Sequence, residues 1–206
     1  KTAYEIGSGL VGSEMCIRAR HNRCNLMKIT VYLGSHEGSD PFLKEAVKEL
    51  GVWIAENNHI LVYGGSKIGL MGELADSVLN ADGMAIGVEP EFFIDDNLQH
   101  ENLSELIITS DLQDRKRKMI ELGDAFIAFP GGTGTLDEIT EIMTKVALKQ
   151  INAPCIVYNL NGYYDSLKVL LDHMIEMGLS TSDKQEKIYF ANNLLEIDEI
   201  LTDTNE

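Results

Sequence analysis

A chain of 206 residues with 44 % hydrophobic residues is long enough for one domain with a full core. Its 33 acidic residues against 17 Lys and Arg leave a formal charge of −16, spread along the chain, which disfavours nucleic acid and anionic membranes as partners. No apolar run is long enough to span a bilayer, and Cys16, Cys24 and Cys155 have no metal-type spacing, so a reducing, cytoplasmic home is expected.

Residues 1–26 read as a non-native or disordered leader, and 27–206 as a single domain. The leader has a Gly/Ser-rich start and no sustained period, then turns basic at Arg18, Arg20 and Arg23. Gly9–Arg18 resembles translated adapter sequence; a targeting peptide is the rival, but no continuous apolar core supports it. Setting aside its four basic and two acidic residues leaves 13 basic and 31 acidic, a charge of −18. From Met27 the pattern alternates. Ile29–Leu33 predicts a strand, and Ser39 or Asp40 can cap a helix reaching about Asn57, with Phe42, Leu43, Ala46, Val47, Leu50, Trp53 and Ile54 at helical spacing. Then come a strand at His59–Tyr63, a helix over Leu70–Asn80, a strand at Gly83–Val88 and an irregular stretch, Glu89–Leu103. A strand at Glu105–Thr109, a helix over Leu112–Leu122 and a strand at Ala125–Phe129 follow. A helix to about Lys149, a strand at Cys155–Asn159, a helix over Tyr163–Met177 and a last one over Asn193–Leu201 complete the pattern. Buried strands alternating with helices predict an α/β, Rossmann-like, doubly wound and mostly parallel sheet with helices on both faces.

Glycine-rich turns follow three of these strands, at Gly34–Gly38, Gly64–Gly69 and Gly131–Gly134. In a parallel sheet such turns share one edge, where ligands bind. They are not the usual nucleotide fingerprints. A P-loop ends in Gly-Lys-Ser/Thr, whereas Leu70-Met71 and Thr135-Leu136 follow here. A dinucleotide fingerprint would need glycine where Asp137 stands, and an acid there repels a pyrophosphate. Gly34–Gly38 alone is adequately explained as a tight bend. Phe129-Pro130-Gly131-Gly132-Thr133-Gly134-Thr135 is different: it joins a buried strand to a helix start and flanks its glycines with hydroxyls, as an anion cradle requires. Glu138 is expected in the first turn of that helix, ionised, with Asp137 turned about 100° away.

Asp114-Arg115-Lys116-Arg117-Lys118 is the one dense basic run of the domain. Four consecutive basic residues cover every side of a helix, so Arg115, nearest the strand end, is the best candidate to face the edge, and Lys116 the second. Arg117 and Lys118 are assigned to the surface. The histidines have no paired spacing, and no metal is expected. His36 and His100 fall in loops, where a surface role is the simpler reading. Met71, Met119 and Met143 are expected in the core.

Pro130-Gly131-Gly132-Thr133-Gly134-Thr135-Leu136-Asp137-Glu138 resembles the PGGxGTxxE motif of the LOG family of cytokinin riboside 5′-monophosphate phosphoribohydrolases, often labelled lysine decarboxylases. The resemblance extends over nearly all of 27–201. Val31–Ser35 is similar to the family's first strand and turn, Val62–Gly72 to its GGGxxGLMG segment, Asp114-Arg115-Lys116 to its Arg-Lys pair and Asn161–Tyr164 to a late segment. It implies hydrolysis of nucleoside 5′-monophosphates to free base and ribose 5-phosphate, on a homodimer or higher homo-oligomer without cofactor. By position, Arg115 and Glu138 would be the catalytic pair. Substrate binding would fall to Gly34, Ser35, Gly64, Gly65, Lys116, Gly131, Gly132, Thr133, Gly134 and Thr135. This chain departs from the pattern at Ser66, Glu89, Asn97, Gln113, Lys145 and Ala147. Glu89 stands where the family has an apolar residue, and together these departures leave the preferred base open.

Overall fold

The computed structural model describes residues 26–94 and 98–204, so the expected leader, apart from Leu26, and the departure at Asn97 lie outside the described residues. The strands are β1 (Lys28–Tyr32), β2 (Ile60–Tyr63), β3 (Met84–Pro90), β4 (Glu105–Thr109), β5 (Ala125–Ala128), β6 (Cys155–Tyr158) and β7 (Ile188–Ala191). The helices are α1 (Pro41–Glu56), α2 (Gly69–Asn80), the single turn α3 (Glu91–Ile94), α4 (Leu112–Leu122), α5 (Thr133–Ala147), α6 (Asp165–Glu176), the short α7 (Ser182–Gln185) and α8 (Leu194–Asp203). All seven strands pair in parallel, in the order β4-β3-β2-β1-β5-β6-β7. The chain therefore winds outward from β1 in one direction and then restarts at β5 on β1's other side. The loops after β1 and β5 diverge there and open a crevice.

Both sheet faces are covered, as the unbroken apolar strands require. On one face Ile29, Val31, Leu33 and Leu61 pack against Leu50 and Ile54 of α1, Leu74 and Val78 of α2, and Ile197 and Leu201 of α8. On the other, Tyr32, Val62, Phe126 and Val157 pack against Met119 of α4 and Ile139, Ile142 and Met143 of α5. Each such buried side chain contributes about 1.5–3 kcal/mol over its exposed state.

Helix starts follow the sequence signals. The Asp40 carboxylate accepts from the Phe42 N–H at 2.9 Å, with Pro41 at the first helical position. Asp111 caps α4 through the Asp114 N–H at 2.8 Å, and Asn193 caps α8. Two expectations are corrected. The stretch after Val88 is not all irregular, because pairing with β4 carries β3 on to Pro90. A further strand, β7, completes the sheet beyond β6. Among the described residues no helix is long and apolar enough to cross a membrane.

Candidate active site

The cradle is built by the turn between β5 and α5. Phe129 N–H bonds the Tyr32 carbonyl and carries β5 to the sheet edge. Gly131 then passes so close to its neighbours that an added Cβ would lie 2.8 Å from Thr135 Cβ and 3.1 Å from the Gly34 nitrogen. The Tyr163 hydroxyl donates to the Gly131 carbonyl at 2.7 Å, and the Tyr164 hydroxyl to the Phe129 carbonyl at 2.9 Å, pinning the turn from its far side. Unlike α1, α4 and α8, α5 starts at a glycine, Gly132, with no side-chain cap. Its first ladder bond runs from Leu136 N–H to the Gly132 carbonyl. The N–H groups of Thr133, Gly134 and Thr135 precede that bond and open to the crevice. Gly131→Ala is expected to displace this turn. A stability loss of about 1–3 kcal/mol in denaturant unfolding and a raised KM for a phosphorylated substrate should accompany each other.

Arg115 reaches the same place from α4. Its Nε donates to the Val88 carbonyl at 3.1 Å, and its Nη1 stands 3.5 Å from Glu138 Oε1. Gly64 makes room for it, since a Cβ there would collide with the guanidinium. Both partners are nearly buried, Arg115 at 12 % side-chain exposure and Glu138 at 9 %. A hollow of about 350 Å³ holds them together, lined also by Gly34, Ser35, His36 and Gly132 to Thr135. A second hollow of about 540 Å³ lies against Gly131, Leu43, Leu70 and Tyr163, shares Gly34, His36 and Gly132 with the first, and touches neither Arg115 nor Glu138. The charged pair, rather than size, makes the smaller hollow the candidate place for chemistry.

Glu138 corrects one expectation. It lies in the second turn of α5, because the helix starts at Thr133, and it gains little from the helix start. Burial pushes its carboxyl above the usual carboxylate range, while the Arg115 guanidinium pulls it back. It still reaches the crevice because helical side chains tilt toward the N-terminus. Asp137 points away into solvent, as the 100° offset requires.

The other expected residues divide. Gly34, Ser35, Gly132, Thr133, Gly134 and Thr135 line the hollow with the pair. Gly131 lines the second hollow. Gly64 and Gly65 are buried beneath, shaping the space for Arg115 and Glu89. Lys116 lines neither hollow. Its Nζ is held 2.9 Å from Asp137 and 3.0 Å from Glu141, tying α4 to α5. Arg117 and Lys118 pair on the surface of their own helix, with Asp114 and Glu121. His36 and Met71, read as surface and core, both line the hollow. His100 instead is buried and pairs with Asp76 at 3.0 Å. Lys145, one of the departures, pairs with Glu141 at 3.7 Å, and Gln113 is exposed. Among the described residues no group of His, Cys, Asp and Glu side chains converges as metal ligands do. Sequence reasoning missed the supporting hydroxyls of Tyr163 and Tyr164 and the burial of Glu89, for which a charged letter gives no signal.

Comparison with known proteins bears on this arrangement. A family model described as "Possible lysine decarboxylase" matches residues 71–201. A cytokinin riboside 5′-monophosphate phosphoribohydrolase from Rhodococcoides fascians is 36 % identical over 167 residues, covering 81 % of this chain and 84 % of that protein. The enzyme of the same name, LOG1, from Arabidopsis thaliana is 36 % identical over 176 residues, covering 85 % and 83 %.

The chain belongs to the LOG family.

The fold of this LOG-family chain also recurs in more distant proteins. A molybdenum cofactor binding protein from Rippkaea orientalis superposes with a TM-score of 0.66 at 21 % identity, covering 88 % of this chain and 99 % of that one. The molybdenum cofactor carrier protein of Chlamydomonas reinhardtii does so with the same score at 19 % identity, over 88 % and 99 %. At such identities the likeness is one of fold.

Proposed function

We propose that this LOG-family protein hydrolyses the N-glycosidic bond of nucleoside 5′-monophosphates, AMP or a cytokinin riboside 5′-monophosphate, to free base and ribose 5-phosphate. The observation that carries the reading is the meeting of Arg115 and Glu138 in one hollow with the uncapped start of α5. The N–H groups of Thr133 to Thr135 take the 5′-phosphate, and the phosphate supplies binding energy that orients the sugar. As the C1′–N bond lengthens, its electron pair leaves with the base and positive charge builds on the ribose, as in glycoside hydrolysis. The Glu138 carboxylate stabilises that charge and takes a proton from the water whose oxygen adds to C1′. The departing base gains a proton. A carboxyl raised by burial is a better base near neutrality than an ordinary one. Arg115 holds Glu138 in place, pins the ribose or phosphate and offsets charge. The hollow that holds Glu138 is lined by no lysine among the described residues, so an amino-acid decarboxylase reading finds no Schiff-base residue there. A cytoplasmic homodimer or higher homo-oligomer, working without a cofactor, belongs to the same proposal.

The test is a panel of nucleoside 5′-monophosphates with free base quantified. AMP or a cytokinin nucleotide should release base, and adenosine, lacking the phosphate, should be cleaved at least about 10²-fold less efficiently. Equal cleavage of adenosine would remove the cradle from the mechanism. Tight nucleotide binding without release of any base would favour a carrier.

A further inference from the structure

Arg115 has a second acidic neighbour. Its Nε is bonded to the carbonyl of Val88, so the peptide that begins Glu89 is anchored to the guanidinium. Glu89 is 2 % exposed, and its Oε2 is buried with no hydrogen-bond partner among the described residues. The turn above is shaped to admit it: Gly65 has φ +85°, and a Cβ there would lie 3.2 Å from Glu89 Cβ and 3.5 Å from Oε2. Among the described residues, the charged and titratable groups around Glu89 are Arg115 from α4 and Tyr63 from β2. Asp76 from α2 acts on the same Tyr63 and is itself paired with His100, while β4 contributes Thr109, whose hydroxyl donates to the Glu89 carbonyl. One buried guanidinium thus serves two buried carboxylates, and the ion pair it makes is with Glu138. A second ionised carboxylate, unpaired and without donors, is costly in such a place, and the cost is avoided by keeping its proton. Burial raises the Glu89 carboxyl, and Arg115 opposes it.

We propose that Glu89 is a positioning residue, held as a neutral acid behind Arg115, which sets how much positive charge Arg115 presents to the bound phosphosugar. An apolar residue at this place would leave Arg115 at full strength at every pH. Here the guanidinium is at full strength only while Glu89 keeps its proton. Ionisation at higher pH sets a negative charge behind Arg115 and weakens its hold on an anionic ligand. The assignment rests on the hydrolase reading for what Arg115 binds, and its test is separable from it.

Infrared difference spectra of wild-type protein against Glu89→Gln at neutral pH should show the carbonyl stretch of a protonated carboxyl that the variant lacks. Ribose 5-phosphate, which cannot be cleaved further, is the calorimetric probe. The ratio of wild-type to Glu89→Gln dissociation constants should climb from about one at acid pH to about ten as the wild-type acid band is lost. Taking the ratio cancels the ionisation of the phosphate itself. Glu89→Leu, apolar and uncharged at every pH, should match Glu89→Gln and guards against a variant that fails to fold. Absence of the acid band, a ratio that stays flat, or no binding of ribose 5-phosphate at any pH would each overturn the assignment. The band and the rising ratio without base release from any nucleotide would instead sink the hydrolase reading and leave Glu89 in place.

Discussion

Glu138→Gln is expected to lower kcat for nucleotide hydrolysis by about 10³-fold while leaving nucleotide affinity within a few-fold of wild type. Glutamine keeps the shape and an oxygen for Arg115 Nη1, but it can neither take a proton from water nor offset charge on the ribose. The cradle of Gly132, Thr133, Gly134 and Thr135 is untouched, so binding survives. Single-turnover release of base, read beside calorimetric binding, separates the two; full turnover would remove Glu138 from the chemistry. The same variant reports on stability. The Glu138 carboxyl is raised in the folded protein, so between its unfolded and folded ionisations the folded state holds the proton and the unfolded state does not. Its contribution to stability is therefore present below that window and lost as pH rises through it. Wild-type Tm should decline with pH across the window, and the Glu138→Gln curve should be flatter.

Arg115→Ala is expected to fail in both turnover and affinity, with kcat/KM down by about 10³-fold or more. Arg115 is held by the Val88 carbonyl at one end and meets Glu138 at the other, so its removal frees Glu138 to turn and withdraws the cation that keeps it ionised. Glu138 then lies buried without compensation and takes up a proton. Arg115→Lys should rescue little, because a single ammonium cannot reach a backbone carbonyl and a carboxylate with the fixed fork of a guanidinium. Steady-state kinetics on both variants, with circular dichroism to verify folding, decides it. An unchanged kcat/KM for Arg115→Ala would exclude Arg115 from the site.

The glycine turn and its helix were legible because strand, turn and helix each leave a separate signature. The apolar block Ala125–Phe129 fixes the strand, and Pro130 and the glycines fix the break. Arg115 was legible only by elimination, since a basic run marks every helix face at once; the sheet edge chose among them. Lys116 went to Asp137 and Glu141 because α5 packs beside α4, a contact that no local pattern encodes. Strand β7 was not visible: Ile188-Tyr189-Phe190-Ala191 is short, and its strand character depends on hydrogen bonding to β6. Glu89 was hidden for the opposite reason. A carboxylate in sequence reads as a strand's end at the surface, whereas pairing of Glu89 with Ile108 and Pro90 with Thr109 draws it into the sheet.

The tie between Lys116 and its two acids has a kinetic consequence. With Lys116, Arg117 and Lys118 each engaged by nearby carboxylates, the basic run projects no field beyond its own helix pair, and the molecule's far field is that of its net charge of −16. An anionic nucleotide is thus slowed on approach and held only after arrival, by contacts within the crevice. Added salt shortens the range of the slowing field to about 10 Å at 0.1 M while leaving buried contacts largely intact, so encounter quickens with ionic strength, the reverse of a steered enzyme.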